Sequence, residues 1–132
     1  MSLTQRTRRD DEGAAVVDFV LVSLVLIPLV LGVMQVALVL HVRNTLTAAA
    51  TEGARYGAAL NRTPAQAVAH TRAQISGAIA ARYAAAVTAG VGRVGGVPQV
   101  EVRVVARVPA LGLWGPAVEL NVTGHATQEQ LP

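Results

Sequence analysis

The chain has 132 residues, eleven arginines without a lysine against eight acids, a formal charge of +3 and no cysteine. That length allows one small domain plus one membrane segment. The missing thiol excludes disulfides, thiolate metal sites and cysteine nucleophiles. Arg55, Arg62, Arg72, Arg82, Arg93, Arg103 and Arg107 are scattered without a dense patch or interleaved aromatics. This is a solvated surface and not a nucleic-acid footprint.

The first thirteen residues carry Arg6, Arg8 and Arg9, then Asp10, Asp11 and Glu12, and end on Gly13. Phe19 to Leu40 follow as a nearly unbroken apolar run. As a helix this run is about 33 Å long, enough to cross a hydrocarbon core of about 30 Å. Ser23 and Gln35 are its polar interruptions, and Pro28 predicts a local bend. A cleaved secretory signal would have an apolar core of only about 7–15 residues and a small-residue cut site. His41-Val42-Arg43-Asn44 is not such a site, so the span is read as a retained anchor. Counting arginines on either side places the short N-terminus inside the cell.

Asp18 stands inside the start of the apolar run. A carboxylate costs about 2.5–3.5 kcal/mol at a bilayer centre and less near an end. A cut between Gly13 and Ala14 would place a new ammonium one helical turn from Asp18. Pairing within the chain or with a neighbour would neutralise the acid and fix axial register. The alternative is that Asp18 only borders the helix at the membrane interface.

Beyond the span the helical pattern continues. Leu46, Ala50, Gly53, Gly57 and Leu60 recur at spacings of three and four and share one face. Gly53 and Gly57 form a small-xxx-small pair that predicts close backbone approach, to this chain's own sheet or to a neighbouring subunit. Glu52 and Arg55 are placed to pair on the surface. Asn61-Arg62-Thr63-Pro64 ends the helix. Thr63 as N-cap, Pro64 at the first helical position and Gln66 completing a capping box start a second helix, predicted to run to about Ala86. Its stripe is Val68, Ile75, Ile79 and Tyr83, with Tyr83 a packing residue.

Gly90, Gly92, Gly95 and Gly96 predict a loop. It is not a phosphate loop, which would need the glycines between a strand and a helix with a lysine following. Gln99–Val108 and the stretch from Val118 to Thr123 alternate apolar and polar residues and predict strands that pair antiparallel. The loop Pro109–Pro116 joins them, and its Trp114 is read as a plug for the domain. The helices are the available cover for the apolar face of the sheet. His41, His70 and His125 lie far apart and the acids are sparse, so no catalytic set is visible. The chain is read as a non-enzyme with no cofactor, no metal and no small-molecule substrate. Asn121-Val122-Thr123 fits a glycosylation sequon but is assigned no role.

The expected fold is α+β and membrane-anchored, with a long N-terminal helix continuing outside the membrane, a second helix and an antiparallel sheet of about two to three strands. The expected organisation is a leader at 1–13, a transmembrane and extended helix at 14–60, and a small extracytoplasmic domain at 61–132.

Gly13-Ala14-Ala15-Val16-Val17-Asp18-Phe19 resembles the processing site of type IV pilins: a glycine, four apolar residues, an acid, then an aromatic. The stretch Asp11–Val20, together with Arg43-Asn44 and Ala48-Ala49-Ala50-Thr51-Glu52-Gly53-Ala54-Arg55-Tyr56-Gly57-Ala58, resembles the TadE-like minor pseudopilins of tight-adherence (Flp-type) pilus systems. The closing strands resemble them as well. The resemblance implies a cut after Gly13 by prepilin peptidase on the cytoplasmic face, with Gly13, Ala14, Asp18 and Phe19 as processing residues. It implies assembly or packing roles for Asp18, Gly53, Gly57, Arg55 and Tyr56. Its implied partners are the membrane, the peptidase, other pilins and pilus-assembly membrane proteins, at the bacterial cell membrane. The family usually carries glutamate where this chain has Asp18, one methylene shorter. The competing expectation is a single-span anchor or adaptor of an envelope or secretion complex that is never cut.

Overall fold

The structure, a computed structural model, describes residues 4–111 and 115–129, with side chains from residue 12 onward. Trp114, the expected plug, lies outside the described residues. The chain divides into two compact units, Met1–Val36 and Ala37–Pro132.

The first unit is helical. It belongs to α1 (Thr4–Ala58), whose only internal breaker is Pro28. Apolar side chains point outward all round it, with Phe19 at 72% exposure and Leu24, Val25, Ile27 and Leu29 similarly bare. A helix apolar on every side and covered by nothing of its own suits a hydrocarbon solvent. Among the described residues it is the one helix long and apolar enough to cross a bilayer, by length and composition.

The second unit is α+β, as the sequence predicts. The outer part of α1 is followed by α2 (Pro64–Ala78), a 3-10 turn (Ala81–Ala84), and strands β1 (Ala86–Val94), β2 (Val97–Val108) and β3 (Val118–Thr127). The strands form one antiparallel meander in the order β1-β2-β3. On β2 the alternation is strict: Val100, Val102, Val104, Ala106 and Val108 are buried, while Arg103 and Arg107 are exposed. The helices cover that buried face. Val42, Leu46, Ala50 and Ala54 of α1 join Ala67 and Ile75 of α2, Tyr83, Val87, Leu120 and Val122 in one core.

Threonines within the outer α1 satisfy their hydroxyls on the preceding turn. Thr45, Thr47 and Thr51 donate to the carbonyls of His41, Arg43 and Thr47 at 2.8–2.9 Å. The helix stops at Ala58, two residues before the expected Leu60, and Asn61 turns the chain with φ 61°. The freed end is tied to the end of the sheet. The Glu129 amide donates to the Ala58 carbonyl at 2.8 Å, and the Leu60 amide donates to Glu129 Oε2 at 3.3 Å.

Two expectations are corrected. The second helix ends at Ala78 instead of about Ala86. Ala80 is extended, Ala81–Ala84 tightens to a 3-10 turn, and Ala86 already pairs with Val105. Alanine prefers a helix locally, but propensity is a weak prior that sheet pairing overrides. Second, the glycine-rich stretch is mostly strand: Gly90 pairs with Glu101 and Gly92 with Gln99. Only Gly95 and Gly96 form the turn, with φ of 59° and 84°. Two consecutive positive φ values make the two-residue hairpin whose twist matches its strands.

Candidate functional site

Two groups of residues carry the functional expectations, and a third, polar group lies on the sheet. Gly13, Ala14, Asp18 and Phe19 lie on α1 and are all exposed. A Cβ built on Gly13 would meet nothing within 4 Å. Ala14 and Asp18 are four residues apart, so they share one helix face. Asp18 makes no ion pair among the described residues.

The second group is the slim stripe of the outer α1. Gly53 and Gly57 are buried, and the element against them is α2 of the same chain. A Cβ on Gly53 would collide with the Thr71 hydroxyl and stand 3.1 Å from Thr71 Cβ. A Cβ on Gly57 would stand 2.7 Å from Ala67 Cβ and 3.3 Å from Val100 Cγ1. Thr71 is fully buried, and its hydroxyl donates to the Ala67 carbonyl at 2.8 Å. Of the stripe, Leu46 and Ala50 are also buried, while Leu60 is 43% exposed. On α2 the closest approach uses Ala67, Thr71 and Ile75; Val68 and Ile79 are half-buried beside them.

Tyr56 lies beside that stripe and faces α2. Its ring stacks on His70 with centroids 4.2 Å apart and an interplanar angle of 4°. The Arg62 guanidinium lies 4.5 Å from the Tyr56 centroid and donates to its hydroxyl at 2.7 Å. His70 Nε2 is 3.2 Å from Gln74 Nε2. Tyr56 is thus a strut between α1, the turn and α2. Arg55 is exposed, and among the described residues it forms no ion pair with Glu52.

The third group is polar. On the outer face of the sheet, Arg103 pairs with Glu101 at 3.3 Å, His125 Nδ1 lies 3.8 Å from Glu101 Oε2, and Arg107 pairs with Glu119 at 3.4 Å. A shallow cleft of ≈ 400 Å³ lies beside this row, lined by Thr88–Gly92, Glu101 and Arg103. All three ion pairs are solvent-exposed and contribute little to stability. His70 and His125 have separate partners, and no group of three His, Cys, Asp or Glu residues able to hold a metal occurs among the described residues.

Sequence reasoning missed Gly124, Thr71 and His70. Gly124 lies inside β3, and a Cβ there would collide with the Ala50 carbonyl and the Thr51 amide of α1. The available signal was a glycine inside an otherwise alternating strand, which marks close approach of another backbone.

Residues 13–55 match the family model described as TadE-like protein, so this segment is similar to that family, in agreement with the resemblance carried by the two N-terminal blocks. The match points to a component associated with tight-adherence pili. It begins at the junction glycine and ends one residue before Tyr56. No curated protein and no solved structure matches the chain.

Proposed function

We propose that this chain is a minor pseudopilin or assembly component of a tight-adherence pilus, held in the bacterial cell membrane by α1 and processed by prepilin peptidase after Gly13. The observation that carries the reading is the placement of Asp18 on a bare apolar helix, five residues after the glycine at which the TadE-like match begins. An acid there is a cost to a plain anchor. Cleavage before Ala14 supplies an ammonium one turn away, on the same helix face, and turns the cost into a charge pair that selects one axial stagger between neighbours. The N-terminus lies in the cytoplasm by the arginine rule, and residues 61–132 form the domain outside. Its partners are then the peptidase, other pilins and the membrane proteins that assemble them.

The competing reading is an uncut single-span anchor or adaptor. One feature favours it: α1 runs through Gly13 without a break. The state of the N-terminus separates the two. Intact-mass measurement on protein recovered from native membranes is expected to show loss of residues 1–13. Full-length protein in cells that contain the peptidase would support the anchor.

A further inference from the structure

We infer that, given the membrane-anchored part of the reading above, the second unit is seated on the bilayer surface by the end at which α1 enters it. An uncharged rim lies in the headgroup–acyl boundary, and Arg43 and Arg82 meet lipid phosphates.

Residues 37–40 carry the observation. They close the apolar run Phe19–Leu40 and belong to the second unit. Leu38 and Val39 are half-buried against its core, and Val42 is fully buried. The second unit therefore starts to cover α1 before the apolar run has ended. A run of this length puts its last turn where a hydrocarbon core of about 30 Å gives way to headgroups, which bring the bilayer to about 40–45 Å.

The rest of that end follows from register. Gly124 meets α1 at Ala50 and Glu129 meets it at Ala58, so β3 runs in the direction of α1. From Gly124 back to Val118 is about 20 Å of strand. From Ala50 back to Leu38 is about 18 Å of helix. Val118 and its partner Val108 thus come level with Leu38. α2 runs the other way, with Ala67 against Gly57 and Thr71 against Gly53, and delivers Ala78–Ala86 to the same end. Pro109–Leu111 and Gly115–Ala117 flank the strand ends there.

This end is chemically unlike the opposite one. No residue from Val108 to Val118 is charged, and Arg82 is the one charge between Ala73 and Gly92. Leu111 is 41% exposed, and Ala78, Ala85, Pro116 and Val118 are exposed as well. The opposite end exposes Arg62, Arg93 and Glu129. A contiguous apolar rim marks a surface that something covers, and the covalent continuation of α1 into the bilayer names the cover. The rim stops at the boundary, because the irregular backbone of Pro109–Leu111 needs hydrogen-bond partners that hydrocarbon lacks.

The charges at this end fit the same cover. The Arg82 guanidinium lies 4.9 Å from the Tyr83 centroid and donates to the Tyr83 hydroxyl at 3.3 Å. Among the described residues neither Arg82 nor Arg43 has a carboxylate partner, whereas Arg107 pairs with Glu119. The unpaired charge beside the rim is therefore cationic. An arginine stem lies along apolar surface while its head reaches out, and its planar fork matches phosphate oxygens.

The native chain lacks cysteine, so single nitroxide labels can report depth. Full-length Leu111→Cys, Ala85→Cys, Val94→Cys and Val25→Cys are labelled and reconstituted in phosphatidylethanolamine–phosphatidylglycerol vesicles. Each label is read for collisions with oxygen, which concentrates in lipid, and with a water-soluble nickel chelate. Val25 is expected to meet oxygen and not nickel, and Val94, at the opposite end, the reverse. Leu111 and Ala85 are expected between them, with oxygen contact several-fold above that at Val94. Joint Arg43→Gln and Arg82→Gln should move Leu111 toward the Val94 reading with an unchanged circular dichroism spectrum, while joint Arg43→Lys and Arg82→Lys should hold it. A Leu111 label that reads like Val94 would overturn the seating, and so would one shielded from both reagents, which marks a protein contact. If Leu111→Cys fails to fold, Ala85→Cys decides. An unchanged reading in the double glutamine variant would remove the phosphate contacts. A Val25 label that meets nickel refutes the anchored reading and the seating with it; a deep Val25 with Leu111 in water refutes the seating alone.

Discussion

At the scale of single residues, three glycines set how closely the layers of the second unit approach. Gly53 and Gly57 let α2 approach α1, and Gly124 lets β3 approach the α1 backbone at Ala50. Local propensity and packing act against each other at Gly53. Alanine would favour the helix by about 1 kcal/mol. Its methyl group would meet the buried Thr71 hydroxyl, and overpacking of this kind costs about 1–3 kcal/mol. Gly53→Ala is expected to lower the stability of the full chain in detergent micelles, measured by thermal unfolding. Thr71→Ala should restore part of the loss, because residues in contact are not additive. A Gly53→Ala variant that is more stable than the parent would show that the approach is looser than the geometry requires. Tyr56 works at the same scale: its ring is held between Arg62 and His70, a contact that sequence spacing alone did not reveal because His70 comes from another helix.

At the scale of elements, the start of α2 is written locally and its end is not. Thr63 Oγ1 accepts from the Gln66 amide at 3.3 Å, and the Thr63 amide donates to Gln66 Oε1 at 3.0 Å. Thr63→Ala is expected to cost about 1 kcal/mol, read as a lower unfolding midpoint, with Gln66→Ala costing less. Equal stability of the Thr63 variant and the parent would mean that tertiary packing alone holds the first turn. The C-terminal end has no comparable signal. Ile79 to Ala86 is rich in alanine and would continue a helix, yet Ala86–Val94 is the strand that completes the sheet. Val87 gains burial there, and the pairing of nine residues with β2 outweighs the small propensity differences of an alanine run.

At the scale of the whole molecule, the first unit leaves its apolar side chains exposed and the second gathers a buried apolar core, which fits a bilayer segment and a watery domain on one chain. The acid near the start of the first unit is the exception to its composition. Asp18→Ala is expected to leave membrane insertion intact, because it removes a costly charge, and to impair pilus assembly. Insertion is read by membrane fractionation and assembly by the yield of sheared pili. Unchanged pilus yield with normal cleavage would remove Asp18 from the assembly mechanism.

The amino-acid sequence by itself determined the span, the capped start of α2, the antiparallel pairing of β2 with β3 and the TadE-like blocks. These depend on composition, on neighbours three or four residues apart, or on strict alternation. Only the tertiary structure decided that β1 exists, that α2 stops at Ala78, and that the glycine stripe of α1 is occupied by Ala67 and Thr71 of the same chain. It alone joined Tyr56 to His70 and Gly124 to Ala50. Those outcomes depend on contacts between residues distant in sequence. Burial and sheet pairing there exceed the local preferences, and no window along the chain contains both partners.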